Sequence, residues 1–146
     1  MVALLDTNLL VALAWPNHVH HEIAQGWFAR HHRNGWATCP ITESSFVRVS
    51  SHLKVTPEAR GPHEAVLLLR KIVALAHHEF WTDDIAFSTS AHVDPSRIQG
   101  YRQVTDAHLL ALALRHTGRL ATLDGGIRGL LPRTAPRTTV VCLLDP

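Results

Sequence analysis

Residues 2–16 read VALLDTNLLVALAWP, and the handover inside that run decides the fold. Val2 to Leu5 is an unbroken apolar stretch, as expected of a strand covered on both faces. Thr7 to Ala14 reads as a helix that must stop before Pro16, whose ring disfavours helix at the preceding residue. Asp6 therefore stands at a strand-to-helix junction between two buried segments. An unpaired carboxylate there is costly, so the position calls for a chemical reason.

Outward from this junction, strands and helices alternate. Val19 to His32 is expected to be helical, with Val19, Ile23 and Trp27 forming an apolar stripe and Asn34-Gly35 the stop. Trp36 to Cys39 is a short strand that Pro40 leaves. Thr42 would cap a helix running to about Leu53, placing Glu43 in its first turn. Gly61-Pro62 opens a helix through His77, with Ala65, Leu68, Leu69, Ile72, Val73 and Ala76 on one face. Glu79 to Thr82 is a third strand. From Asp83 to Arg102 the signals thin: Ile85 to Phe87 reads as helical, and Asp94-Pro95 and Gly100 as breaks. Thr105 would cap an Ala/Leu-rich helix from Asp106 to His116, ended by Gly118. Leu120 to Leu123 and Thr139 to Leu144 are the last strands, with a short helix around Ile127 to Leu131 between them. This alternation predicts an α/β fold with a parallel sheet and right-handed crossovers. Residues 1–146 form one expected domain, since this length buries enough surface for a core of its own.

Hydrophobic residues make up 46% and charged ones 18%, which excludes a disordered chain. Only two cysteines occur, Cys39 and Cys142, both in apolar runs. They fit no zinc spacing or disulfide framework and read as small buried hydrophobes. The apolar start lacks a basic leader and contains Asp6, and no run of about 18 apolar residues follows, so the expectation is a cytoplasmic protein without a membrane span. Net charge is +2, with twelve arginines against two lysines, Lys54 and Lys71. Arginine suits bidentate phosphate contact, although GC-rich coding would give the same bias.

Four acids follow apolar or β-branched runs: Asp6, Glu43, Asp106 and Asp124. In a parallel sheet such residues project from the carboxyl edge, where open α/β folds place their sites. Hydrolysis of a phosphodiester needs charge neutralised on phosphate oxygens and a water acidified toward neutral pH, and Mg²⁺ or Mn²⁺ supplies both. Asp6, Asp106 and Asp124 are the expected metal ligands, with Glu43 ligating or orienting the attacking water. Thr7 and Thr105 would position these acids, Asn8 would bond Asp6 or a phosphate, and Arg48, Arg97 and Arg102 are candidate phosphate contacts. His108, two residues beyond Asp106, is expected near substrate. Blander readings exist: an acid in a first helical turn is favoured by the helix dipole, which covers Glu43 and Asp106, and Asp124 before Gly125 suits a turn. Asp83 and Asp84 are placed at a helix N-terminus or in solvent. The histidines, including His18, His20, His21 and the pairs His31-His32 and His77-His78, match no tight zinc motif and are expected at solvated helix ends.

These pieces in this order, an apolar strand ending in Asp-Thr-Asn, a central Thr-Glu, a Thr-Asp opening an Ala/Leu-rich helix and a Leu-Ala-Thr-Leu-Asp turn, resemble a PIN domain of the VapC ribonuclease-toxin kind over nearly the whole chain. The resemblance implies a three-layer α/β/α sandwich with a mostly parallel five-stranded sheet in the order 3-2-1-4-5. It also implies a Mg²⁺-dependent endoribonuclease, with Mn²⁺ able to substitute, acting as a toxin on RNA, silenced by a cognate antitoxin protein and paired as a homodimer. The four acids would carry metal and catalysis. Alternatives are a structure-specific DNA nuclease of the flap-endonuclease type and a non-catalytic RNA-binding scaffold. A phosphoacceptor domain of the receiver type is disfavoured because no lysine follows Lys71.

Overall fold

The computed structural model describes residues 1–52 and 61–145, so Lys54 and the expected helix end near Leu53 lie outside the described residues. Five short strands, β1 (Ala3–Leu5), β2 (Trp36–Thr38), β3 (His78–Phe80), β4 (Arg119–Thr122) and β5 (Val140–Cys142), form one sheet in the order β3-β2-β1-β4-β5. All four pairings are parallel. The apolar run from Val2 to Leu5 thus supplies the central strand.

Alternation along β1 builds the two outer layers. Ala3 and Leu5 face one side, with α1 (Thr7–Ala14), α2 (His21–His31), α3 (Pro40–Ser50) and α4 (Pro62–Val73) packed there around Leu9, Leu10, Phe46, Leu69 and Ile72. Leu4 faces the other, under α5 (Val104–Arg115) and a 3-10 turn at Gly125–Leu130 that contribute Leu109, Leu110, Leu112, Ile127 and Leu130. The result is a three-layer α/β/α sandwich. Each fully buried leucine contributes about 1.5–3 kcal/mol of burial free energy, so central β1 with Leu4 and Leu5 at 0% exposure is anchored from both faces. Asp6 and Thr122, next in phase to Leu4 and Leu120, fall on the α5 side.

Two glycines are required. Gly35 has φ 91°, and a Cβ there would meet Val2 Cγ2 at 2.8 Å, so it ends the α2 segment as expected. The end of α5 differs from expectation. Thr117 adopts the left-handed conformation (φ 54°), while Gly118 is needed for space, because a Cβ would stand 2.5 Å from the Trp81 ring and 2.7 Å from the Val2 carbonyl.

Other boundaries move for local reasons. Val19 lies before α2 and is 84% exposed, and Ile23 is 44% exposed; the inward face of α2 is instead Ala24, with Trp27 and Phe28 packed beside it. Pro40 does not merely leave β2 but occupies the first turn of α3, where no N–H is needed. Cys39 is the cap, and Thr42, fully buried, accepts the Cys39 N–H at 2.9 Å from inside that turn. The α4 helix ends at Val73, leaving Ala76 exposed and His77 left-handed (φ 67°). Ile85 to Phe87 is not helical: the Asp83 carboxylate accepts the Ile85 N–H at 3.1 Å and holds a turn. The 3-10 turn Tyr101–Gln103 runs directly into α5, so Thr105 is an exposed residue within the first turn and not a cap. Both cysteines are free thiols and buried. Among the described residues no helix is long and apolar enough to cross a membrane.

Candidate active site

At the carboxyl edge of the sheet, Asp6 leaves β1 as the cap residue of α1. Its N–H bonds the Ala121 carbonyl at 2.9 Å, which pins the residue between β1 and β4. Only 6% of Asp6 is exposed. Its Oδ2 accepts the Thr122 hydroxyl at 2.8 Å, and the Thr7 backbone N–H also supports it. Thr7 therefore contributes main chain to the site. The same Thr122 oxygen accepts the Asp124 N–H at 3.0 Å, so one hydroxyl ties the two acids of adjacent strands together. Thr122, part of the Leu-Ala-Thr-Leu-Asp turn, was not expected to bond these acids; the signal was a β-branched hydroxyl two residues before Asp124 on a strand next to β1.

Asp106 sits in the first turn of α5, above the same edge. Burial, and then the charges of Asp6 and Asp124, push its carboxyl up to about 6. Asp6 is likewise raised, chiefly by burial, against the lowering influence of Thr122 and Thr7, with the Asp124 charge adding to the rise. Three aspartates thus share one electrostatic cluster. Asp124 also caps the following 3-10 turn by accepting the Gly126 N–H at 2.8 Å, so the turn role expected of it coexists with its place in the cluster.

Glu43 is held in the corner between β2 and α3. The Thr38 hydroxyl donates to Glu43 Oε1 at 2.7 Å and lies 2.7 Å from His78 Nε2, so the ring can donate to the same oxygen. Thr38 and His78 had not been singled out in this role. The other expected residues make no hydrogen bond to these acids among the described residues. Asn8, Thr105 and Arg48 are exposed. Arg102 lies over the Tyr101 ring at 5.7 Å, and Arg97 pairs with Asp94 at 3.2 Å. Asp83 is not in solvent: it bonds His108 Nε2 at 2.6 Å, and the His108 ring stacks on Phe87. Several histidines are also more than solvated ends, since His21, His31 and His32 bond carbonyls and the last two stack on Trp27 and Phe28. Asp84 does face outward, paired with Arg115 at 2.9 Å.

The donor set suits a hard divalent cation. Carboxylates that raise one another's pKa are relieved by a positive ion between them. Among the described residues no three His, Cys, Asp or Glu side chains stand close enough to enclose an ion alone. An ion that keeps several waters and takes one or two carboxylates directly, as Mg²⁺ does, needs no such enclosure. Without its hydroxyl, Thr122 would leave the Asp6 carboxylate and the Asp124 N–H each short of a partner. Thr122→Val is therefore expected to cost roughly 1–3 kcal/mol of stability, and Thr122→Ser much less, as read by urea unfolding. Equal stabilities for the two variants would overturn this role.

Residues 3–130 match the PIN domain family. The chain belongs to the PIN-domain family. Within it, this PIN domain is 47% identical over 142 residues to Ribonuclease VapC38 of Mycobacterium tuberculosis, covering 97% of this chain and 98% of that one. It is also 47% identical over 127 residues to Ribonuclease VapC39 of the same species, covering 87% and 91%, and 42% identical over 127 residues to its Ribonuclease VapC44, covering 87% and 89%. These likenesses make it a PIN domain of the VapC type. Its fold resembles that of VapBC2 from Rickettsia felis, solved bound to a DNA fragment from their promoter, with a TM-score of 0.68 at 13% identity over 97% of this chain and 98% of that one.

Proposed function

We propose that this VapC-type PIN domain is a Mg²⁺-dependent endoribonuclease acting as the toxin of a toxin–antitoxin pair. The observation that carries the reading is the cluster of Asp6, Asp106 and Asp124, in which burial and mutual charge hold Asp106 near 6 with no basic side chain paired to it among the described residues. The ribonucleases it resembles supply the substrate class.

Asp6, Asp106 and Asp124 would hold the ion. When bound, Mg²⁺ or Mn²⁺ neutralises charge on the phosphate and makes water acidic enough to attack near neutral pH. The chain's own groups do the rest. Thr122 orients Asp6 and the Asp124 main chain, and Glu43, fixed by Thr38, presents a carboxylate that accepts a proton from the attacking water. The dipole of α5 favours the ionised form of Asp106 once a cation offsets its neighbours.

The antitoxin partner is part of the same proposal, supported by the VapBC2 likeness. An apolar hollow of about 420 Å³ between α1, α2 and α4, lined by Leu13, Phe28, Ala29, Leu68, Ile72 and Leu75, offers such a protein a seat away from the carboxylates. Pairing of two copies, and action in the cytoplasm where RNA is met, complete the proposal.

Expression of the wild type and of Asp6→Asn in a bacterial host, with transcriptome-wide mapping of RNA ends, tests the activity. New ends carrying 5′-phosphate and 3′-hydroxyl, clustered in single-stranded loops whose bases are open to side chains, are expected from the wild type alone. Harmless wild-type expression without new RNA ends, together with cleavage of flapped DNA by the purified protein, would replace this function with the DNA-nuclease alternative.

A further inference from the structure

The C-terminal part of the chain gathers five arginines around two adjoining hollows on the β5 edge of the sheet. One, of about 360 Å³, is lined by Arg97, Arg128, Arg133 and Arg137. The other, of about 390 Å³, is lined by Arg119, Arg128 and Arg137 with Val140, Val141 and Cys142. They share Arg128 and Arg137, and no carboxylate lines either. Arg97 is paired with Asp94 and Arg128 with Asp145. For Arg119, Arg133 and Arg137 no carboxylate lies within ion-pair distance among the described residues. The Arg119 Nε is moreover buried without a hydrogen-bond partner among the described residues.

The hollow leads to the catalytic edge. Cys142, on its wall, approaches Gly125, which follows Asp124 directly; a Cβ there would stand 3.7 Å from the sulfur and 3.4 Å from the carboxylate of Asp145, the residue with which Arg128 pairs. The 3-10 turn Gly125–Leu130 then carries Arg128 from the acid cluster to the groove. Every lining side chain is arginine, small or aliphatic apart from Thr138, so no aromatic ring is present on which a base could stack. Guanidinium groups without stacking partners recognise phosphate oxygens and leave base identity unread.

We infer that this arginine-lined groove is a docking track for the phosphate backbone of single-stranded RNA flanking the cut site. The inference rests on the RNA-cleaving function proposed above. β5, three residues long at about 3.3 Å each, gives the groove a wall of about 10 Å. The groove therefore holds RNA beyond the scissile phosphate. Sequence choice is left to residues nearer the carboxylates.

Arg133 and Arg137 are exposed, so the double variant Arg133→Gln/Arg137→Gln tests the track without disturbing the core. Binding is read by fluorescence anisotropy with labelled polyuridylate in the Asp6→Asn background, where no cleavage intervenes. The double variant is expected to bind roughly tenfold more weakly and to show a salt dependence shallower by roughly 1.4 in log K against log salt, about 0.7 for each lost contact. The paired lysine variant should restore the slope and only part of the affinity. In cleavage, KM for a long target RNA should rise with kcat unchanged, while the shortest oligonucleotide still cut should be processed equally by both proteins. Unaltered affinity and salt slope, or equal losses on long and short substrates, would overturn the track, as would a change confined to oligomeric state. Absence of RNA cleavage by the wild type would refute the proposed activity instead, and the anisotropy result would still decide the groove.

Discussion

Asp6→Asn is expected to lower RNA cleavage by about 10²-fold or more, since even groups that only orient a metal ligand cost 10–100-fold when removed. Asparagine keeps the shape and the acceptor oxygen facing the Thr122 hydroxyl, so the fold should persist. The metal-free variant should in fact be more stable than the wild type at neutral pH. In the wild type a carboxylate 6% exposed is buried beside two others. The sign follows from the raised pKa values. Asp6 and Asp106 bind protons more tightly folded than unfolded, so the metal-free protein is at its best for these groups below the ordinary aspartate value near 4. That stability is lost as pH rises through the folded value of Asp106, about 6. Removing the Asp6 charge removes one cause of the rise, and the slope between roughly pH 4 and 6 should flatten. Unchanged cleavage in a variant that melts like the wild type would refute the assignment of Asp6.

Adding Mg²⁺ or Mn²⁺ should raise the melting temperature by about 5–10 °C at an ion concentration near 100 times its dissociation constant. Ligand binding to the folded state alone is then worth about 2.7 kcal/mol, and a chain of this size shifts by about 2–4 °C per kcal/mol. Protons compete with the ion for Asp106. The shift should therefore be full above pH 6 and shrink as pH falls below it. EDTA should abolish both the shift and the cleavage. A melting temperature indifferent to both ions across this range, measured by scanning calorimetry, would exclude the carboxylate cluster as a metal site, whereas activity dependent on zinc alone would direct attention to the histidines.

Where a residue's environment comes from its own neighbours, it was legible in the chain. The apolar run Val2 to Leu5 ending at Asp6 specified a central covered strand, because only burial on both faces tolerates so unbroken a run. Asp6, Asp106 and Asp124 were legible as acids at strand ends or helix starts for the same reason, and Gly35 as a stop. Periodicity failed where an exposed apolar residue imitated a stripe, as at Val19 and Ile23, since a helix's inward face depends on what it packs against. The order of the five strands followed from resemblance to a family, not from any local pattern.

Contacts between distant residues were decided by register and packing alone. Thr122 meets Asp6 across 116 positions because β1 and β4 pair with Leu5 opposite Ala121, bringing the two following side chains together on one face. Asp83 meets His108, and Thr38 meets His78, through similar long-range placement. The arginine groove likewise exists only once the chain after Asp124 folds back along β5. In the sequence those arginines are spread from Arg97 to Arg137, and no local rule distinguishes them from a charged surface. Local chemistry determined which groups the chain could use, and tertiary structure decided which of them share an oxygen, a charge or a groove, because those terms fall off within a few ångströms and depend on how the layers are stacked.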